Sequence, residues 1–145
     1  WDTSPFAGGS LRFVSQIKAL EKPQGDSQDF VVKISKNVRE PRQEYFLECR
    51  MQATAAWYAK EFNKCRLPCK IRYLEAAVVE FHERFGPDGE PIVCSVEPYV
   101  DQPFSKYNNN CGWINPKFAM VPTPQAFSHF TFEHSRRTLL VVDVQ

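Results

Sequence analysis

The sequence carries almost no net charge. Its 18 Lys and Arg against 17 Asp and Glu leave a formal +1 over 145 residues. A dedicated nucleic-acid binder usually shows a clear basic excess, so no nucleic-acid partner is expected. No apolar run approaches the roughly 18 residues of a membrane span. The amino terminus has no signal-peptide pattern, and no internal repeat or low-complexity stretch is visible. Cysteines number five, Cys49, Cys65, Cys69, Cys94 and Cys111. An odd set without a secretory signal reads as reduced thiols, so a cytoplasmic protein is expected. Cys65 and Cys69 have a ligand-like spacing, but the second Cys/His pair that a zinc site usually needs does not follow.

What is present is ordinary for a folded domain: 43% hydrophobic and 24% charged residues. Residues 10–20 form a mixed strand-like run, approached through Pro5, Gly8 and Gly9. Residues 22–28 are rich in turn formers, and residues 30–35 read as a short β-branched strand, which makes a first hairpin. Residues 44–64 read as the longest helix, with Phe46, Leu47, Met51, Ala55, Tyr58, Ala59 and Phe62 at helical spacing. Residues 71–82 and 92–100 read as strands around the turn Gly86–Gly89, a second hairpin. After an irregular polar stretch, Thr123 reads as an N-cap with Pro124 opening a helix to about Ser135. Residues 139–144 read as a buried strand. Hairpin, helix, hairpin, helix and strand together indicate an α+β fold.

Four places offer chemistry. Lys33 lies in the apolar strand FVVKIS, where an ammonium needs an anionic partner. A nucleotide phosphate, Glu44 or Glu48 would serve, and so would open water at a sheet edge. The glycines of PFAGGSLR let a backbone approach phosphates, and Arg12 could add a charge-assisted contact; two adjacent glycines equally mark a plain turn. In LLVVDVQ, strand alternation would set Asp143 and Gln145 on one side, an oxygen pair suited to magnesium. A buried aspartate capping a loop is the alternative. His129, in AFSHFT, reads from its own surroundings as a hydrogen-bonded structural histidine.

Taken in order, PFAGGSLR, VVKIS, VEPYV, KYNNNCGW, TPQAFSHFTFEHS and LLVVDVQ resemble the alpha-kinase family, the atypical serine/threonine protein kinases typified by myosin heavy chain kinases and the elongation factor kinase. The resemblance covers essentially the whole chain, apart from the variable loops 21–28 and 84–91. It implies a bilobal protein-kinase-like fold, with an N-lobe over 1–96, a hinge over 97–103 and the start of a C-lobe over 104–145. It implies that Lys33 contacts ATP phosphates and that Gly8, Gly9 and Arg12 form the phosphate-covering loop. It further implies that Glu97 and Tyr99 present backbone groups to adenine, that Asp143 and Gln145 bind magnesium, and that His129 is one of four ligands of a structural zinc. Pro98 has no amide hydrogen, so the Glu97 carbonyl and the Tyr99 amide are the expected adenine contacts. The resemblance assigns no role to Lys106 or to residues 108–110.

The expected activity is transfer of the ATP γ-phosphoryl group to serine or threonine of protein substrates. The family's catalytic aspartate and remaining zinc ligands fall after the position of Gln145, so an inactive piece with a truncated C-lobe is expected. An apolar patch at Phe127, Phe130 and Phe132 is expected with it. Two alternatives are a nucleotide-binding pseudokinase and a non-enzymatic scaffold or interaction module.

Overall fold

A computed structural model describes residues 7–8, 11–18, 29–118 and 120–145. The loops expected at Gly9 and over 22–28 lie outside the described residues. The strands are β1 (Ala7–Gly8), β2 (Arg12–Lys18), β3 (Asp29–Ser35), β4 (Ala77–Phe85) and β5 (Pro91–Pro98). The helices are α1 (Arg42–Asn63) and α2 (Thr123–His134), with a 3-10 turn at Pro116–Phe118. The strands make one antiparallel sheet in the order β1-β2-β3-β5-β4.

The chain divides into two compact units. The first takes the described residues up to Ala53 with Leu74–Val100, and the second takes Thr54–Tyr73 with Asp101–Gln145. This differs from the contiguous division expected from sequence. The later part of α1 and the loop after it belong with the C-terminal half, because Ala59 and Phe62 are core residues there.

In the first unit, the sheet register follows the alternation of small and β-branched residues. Lys33 sits opposite Val14 on one side and Ser95 on the other, at the middle of the sheet. On the same face, the Ser35 amide donates to the Tyr45 hydroxyl of α1 at 2.9 Å. Arg12 lies over the Tyr45 ring, 4.9 Å from its centroid. Tyr45 is therefore the buried residue of the first helical turns, while Phe46, Leu47 and Met51 are exposed. Those three keep their helical spacing on the exposed side of α1. A tyrosine can serve both the strand amide and the arginine, and no alkyl side chain can.

At Gly8 the expected flexible approach is instead part of an edge strand, β1, in which Ala7 and Gly8 pair with Val14 and Phe13. Regular pairing in the second hairpin begins at Ala77, not at Ile71. The peptide groups of Ile71 are taken by the Asn63 side chain, which donates to its carbonyl at 2.8 Å and accepts from its amide at 3.0 Å. Further on, Gln52 donates to the Leu74 carbonyl at 2.7 Å. Side chains of α1 thus satisfy groups that a ladder would otherwise use. The hairpin closes through Gly89, whose φ of 81° favours glycine.

The second unit is built around Ala59, Phe62, Phe127 and Val144. Phe127 has no exposed surface, and its ring meets Phe62 edge-on at 5.5 Å. Burying such a side chain contributes roughly 1.5–3 kcal/mol. The apolar patch expected on α2 is thereby overturned at Phe127, while Phe130 and Phe132 are half-buried. α2 is preceded by Pro122 without a side-chain cap, so Thr123 opens the helix and does not cap it.

Residues 139–144 are not a strand. Their backbone is held by side chains instead. Val141 N–H donates to Thr131 Oγ1 at 2.9 Å, and Leu139 N–H donates to Ser135 Oγ at 3.0 Å. These bonds from α2 and its C-cap residue hold Leu139 and Val141 without a partner strand.

Candidate functional site

In the first unit the candidate residues gather on the helix-covered face of the sheet. Lys33 Nζ lies 2.5 Å from Glu97 Oε1. The two are diagonal neighbours across β3 and β5, since Val31 faces Glu97 and Lys33 faces Ser95. The lysine's carboxylate partner is therefore Glu97, and neither of the two helix glutamates considered from sequence. Glu48 is bound elsewhere: Arg12 forms ion pairs with both Glu40 and Glu48. Burial works against the Arg12 charge, but hydrogen bonds and charges from Glu48 and Glu40 outweigh it, so its pKa lies above the ordinary value. Cys49, the next residue along α1, is pushed up first by burial and then by the charges of Glu48 and Glu97. It is held as a thiol and is a poor nucleophile.

Tyr99 corrects an expectation. Its amide is not free, because it donates to the Asp29 carbonyl at 2.8 Å and prolongs the β3–β5 ladder. Glu97 lies within that ladder opposite Val31. Successive residues of a strand turn their backbone groups to opposite sides, so the Pro98 carbonyl is directed away from β3.

In the second unit, the segment KYNNN gains the role that sequence reading left unassigned. Lys106 Nζ lies 2.5 Å from Asp143 Oδ1. Tyr107 N–H donates to the Val144 carbonyl at 2.8 Å. Asn108 Oδ1 accepts from Val144 N–H at 3.0 Å, while its amide nitrogen donates to Gln125 Oε1 at 2.8 Å and Ser128 Oγ at 3.1 Å. Asn109 Oδ1 accepts the amides of Cys111 and Trp113, both at 2.9 Å, which folds the loop back on itself. Asn115 then donates to the Lys106 carbonyl at 2.8 Å. A run of asparagines in a polar loop was the available signal, since their side chains commonly bond nearby backbone.

Asp143 is exposed and has a left-handed φ of 59°. That conformation is uncommon for a non-glycine residue and persists where surroundings impose it. It also removes the strand alternation expected to align Asp143 with Gln145. Both are exposed, and both offer hard oxygen donors that suit magnesium. In this arrangement Asp143 is neutralised by Lys106. His129 is exposed on α2. Among the described residues, no group of three or more His, Cys, Asp or Glu side chains is gathered as a metal cage. The described residues therefore do not form a zinc centre around His129. No described helix is long and apolar enough to cross a membrane.

An α+β domain with a lysine at mid-sheet, and an exposed, conformationally constrained aspartate in a second unit, is of the protein-kinase-like class. The chain belongs to the alpha-kinase family, which it matches over residues 7–145. It is 40% identical over 141 residues to myosin heavy chain kinase B of Dictyostelium discoideum, covering 97% of this chain and 18% of that protein. It is 32% identical over 151 residues to human eukaryotic elongation factor 2 kinase, covering 99% of this chain and 20% of that protein. The chain thus spans about a fifth of these relatives' length. The alpha-kinase domain of myosin heavy chain kinase A, solved with AMPPCP, superposes with a TM-score of 0.83 at 30% identity, over 99% of this chain and 67% of that one. An inactive form of the same domain, solved with ATP, gives 0.84 at 31% identity, covering 99% and 69%.

Proposed function

We propose that the protein carrying this chain is a magnesium- and ATP-dependent kinase that phosphorylates serine or threonine in protein substrates. The observation that carries this reading is Lys33. It sits at the centre of the sheet, with its ammonium held by one carboxylate in a domain whose solved relatives bind ATP and AMPPCP. A partly exposed ammonium with one anionic partner can exchange part of that pairing for phosphate oxygens. Phosphoryl transfer asks little of a protein beyond positioning and charge stabilisation.

In this reading Lys33 orients the phosphates, and Glu97 holds the lysine in place when they are absent. Arg12 reaches a phosphate only by giving up Glu40 or Glu48. Otherwise it acts as a strut that ties the start of β2 to α1. Adenine would meet the Pro98 carbonyl, since the Tyr99 amide is taken. Asp143 and Gln145 would hold magnesium, which would supply charge neutralisation. Lys106 holds the Asp143 carboxylate in place until then. No residue of this chain is assigned as acceptor of the hydroxyl proton. The relatives are named for different protein substrates, so the substrate class is set no more finely than protein serine or threonine. The cytoplasm is the proposed location, on the ground of the unpaired cysteines alone.

The test is calorimetric titration of the full-length protein with AMPPCP, with and without magnesium. Binding that tightens with magnesium in the wild type, and weakens at least tenfold in Lys33→Met, is expected. Equal binding by both proteins would contradict the reading.

A further inference from the structure

We propose that Asn108 is the positioning residue that sets Asp143 for the metal, an inference that rests on the magnesium reading of Asp143 and Gln145. The left-handed backbone at Asp143 is uncommon for a non-glycine residue and must be imposed by what flanks it. Next to it, Val144 is fixed at three points. Its side chain is buried in the core, its carbonyl accepts from Tyr107 N–H, and its own N–H donates to Asn108 Oδ1.

Of the two hydrogen bonds at Val144, the one from Tyr107 is backbone to backbone and would survive most substitutions. The other depends on the identity of residue 108. The Asn108 amide is 6% exposed, and its orientation is set by donation to Gln125 and Ser128. Reversing the amide would set a nitrogen against Val144 N–H and an oxygen against Gln125 Oε1, so only one orientation satisfies every partner. Asn108 thereby transmits the position of α2 to the peptide that follows Asp143. Lys106, two residues earlier, meets the carboxylate itself. Backbone and charge of Asp143 are thus governed from one three-residue stretch, 106–108.

The experiment measures Mn2+ binding to the full-length protein by electron paramagnetic resonance in the presence of AMPPCP, alongside hydrogen exchange at the Val144 amide. In Asn108→Leu, which keeps the volume and removes both bonding functions, the Mn2+ dissociation constant is expected to rise about tenfold or more. The Val144 amide should exchange faster, and metal-free nucleotide affinity should be unchanged. Gln125→Leu frees the Asn108 amide without touching Val144, so it should shift Mn2+ affinity in the same direction by less. If Asn108→Leu does not fold, Gln125→Leu decides. A fall in thermal stability with unchanged Mn2+ affinity in the folded variants would overturn the proposal. Asp143→Asn separates the two layers. Wild-type Mn2+ affinity in that variant overturns the magnesium reading, and this inference with it. Loss there, but none in the 108 and 125 variants, overturns this inference alone.

Discussion

Lys33 and Arg12 are two cations on one sheet face with opposite surroundings. Arg12 carries two carboxylates and an aromatic ring, while Lys33 has the single carboxylate of Glu97. The less saturated cation is the better candidate for a transient anion, which is why the phosphate role is proposed for Lys33. Cys94 has no exposed surface, and burial pushes its thiol up to about 11 from the usual 9.0. Tyr73 in the second unit is pushed up to about 12 from 10.0 by the same cause. The folded protein therefore keeps protons that the unfolded chain releases above about pH 9. Unfolding there releases protons and becomes easier as pH rises, until the folded thiol ionises too. Stability measured by denaturant titration should be flat below pH 9 and fall between pH 9 and 11. In Cys94→Ala the absolute stability should drop, but the slope over that window should be shallower. An unchanged slope would show that Cys94 is not its source.

At the level of elements, much was legible and for a clear reason. β2, β3, β5, α1 and α2 are governed by local alternation, helical spacing and turn formers, and their observed bounds lie within a few residues of those read from sequence. Local pattern could not reveal segments whose peptide groups are satisfied by distant side chains. Ile71 belongs to Asn63, Val141 to Thr131 and Val144 to Asn108, so apolar runs that look like strand are held open. The site divides in the same way. Lys33 and Asp143 were visible as charges in apolar surroundings, whereas Glu97 as partner and Asn108 as tether depend on sheet register and tertiary approach. Thr131 tests this account. It is fully buried, donates to the Ser128 carbonyl at 2.7 Å and accepts from Val141 N–H. Thr131→Val keeps the shape and leaves that amide unpaired. A loss of about 1–3 kcal/mol in unfolding free energy is expected. A neutral result would mean that residues 139–144 do not depend on α2.

For the whole molecule, the candidate residues are distributed over both units. Lys33, Arg12, Glu97 and Tyr99 belong to the first, and Lys106, Asn108, Asp143 and Gln145 to the second. α1 contributes to each core, with Tyr45 in one and Ala59 and Phe62 in the other, so its continuity matters to both. In the proposed function these residues serve phosphoryl transfer from ATP. The direct measurement is incorporation of labelled γ-phosphate into a serine- and threonine-containing protein substrate by the full-length protein, compared with Lys33→Met and Asp143→Asn. Magnesium-dependent incorporation by the wild type is expected. A loss of at least a hundredfold is expected in each variant, with the circular dichroism spectrum and the melting transition retained. Wild-type incorporation by either variant, or no incorporation by a folded wild type that binds AMPPCP, would contradict it.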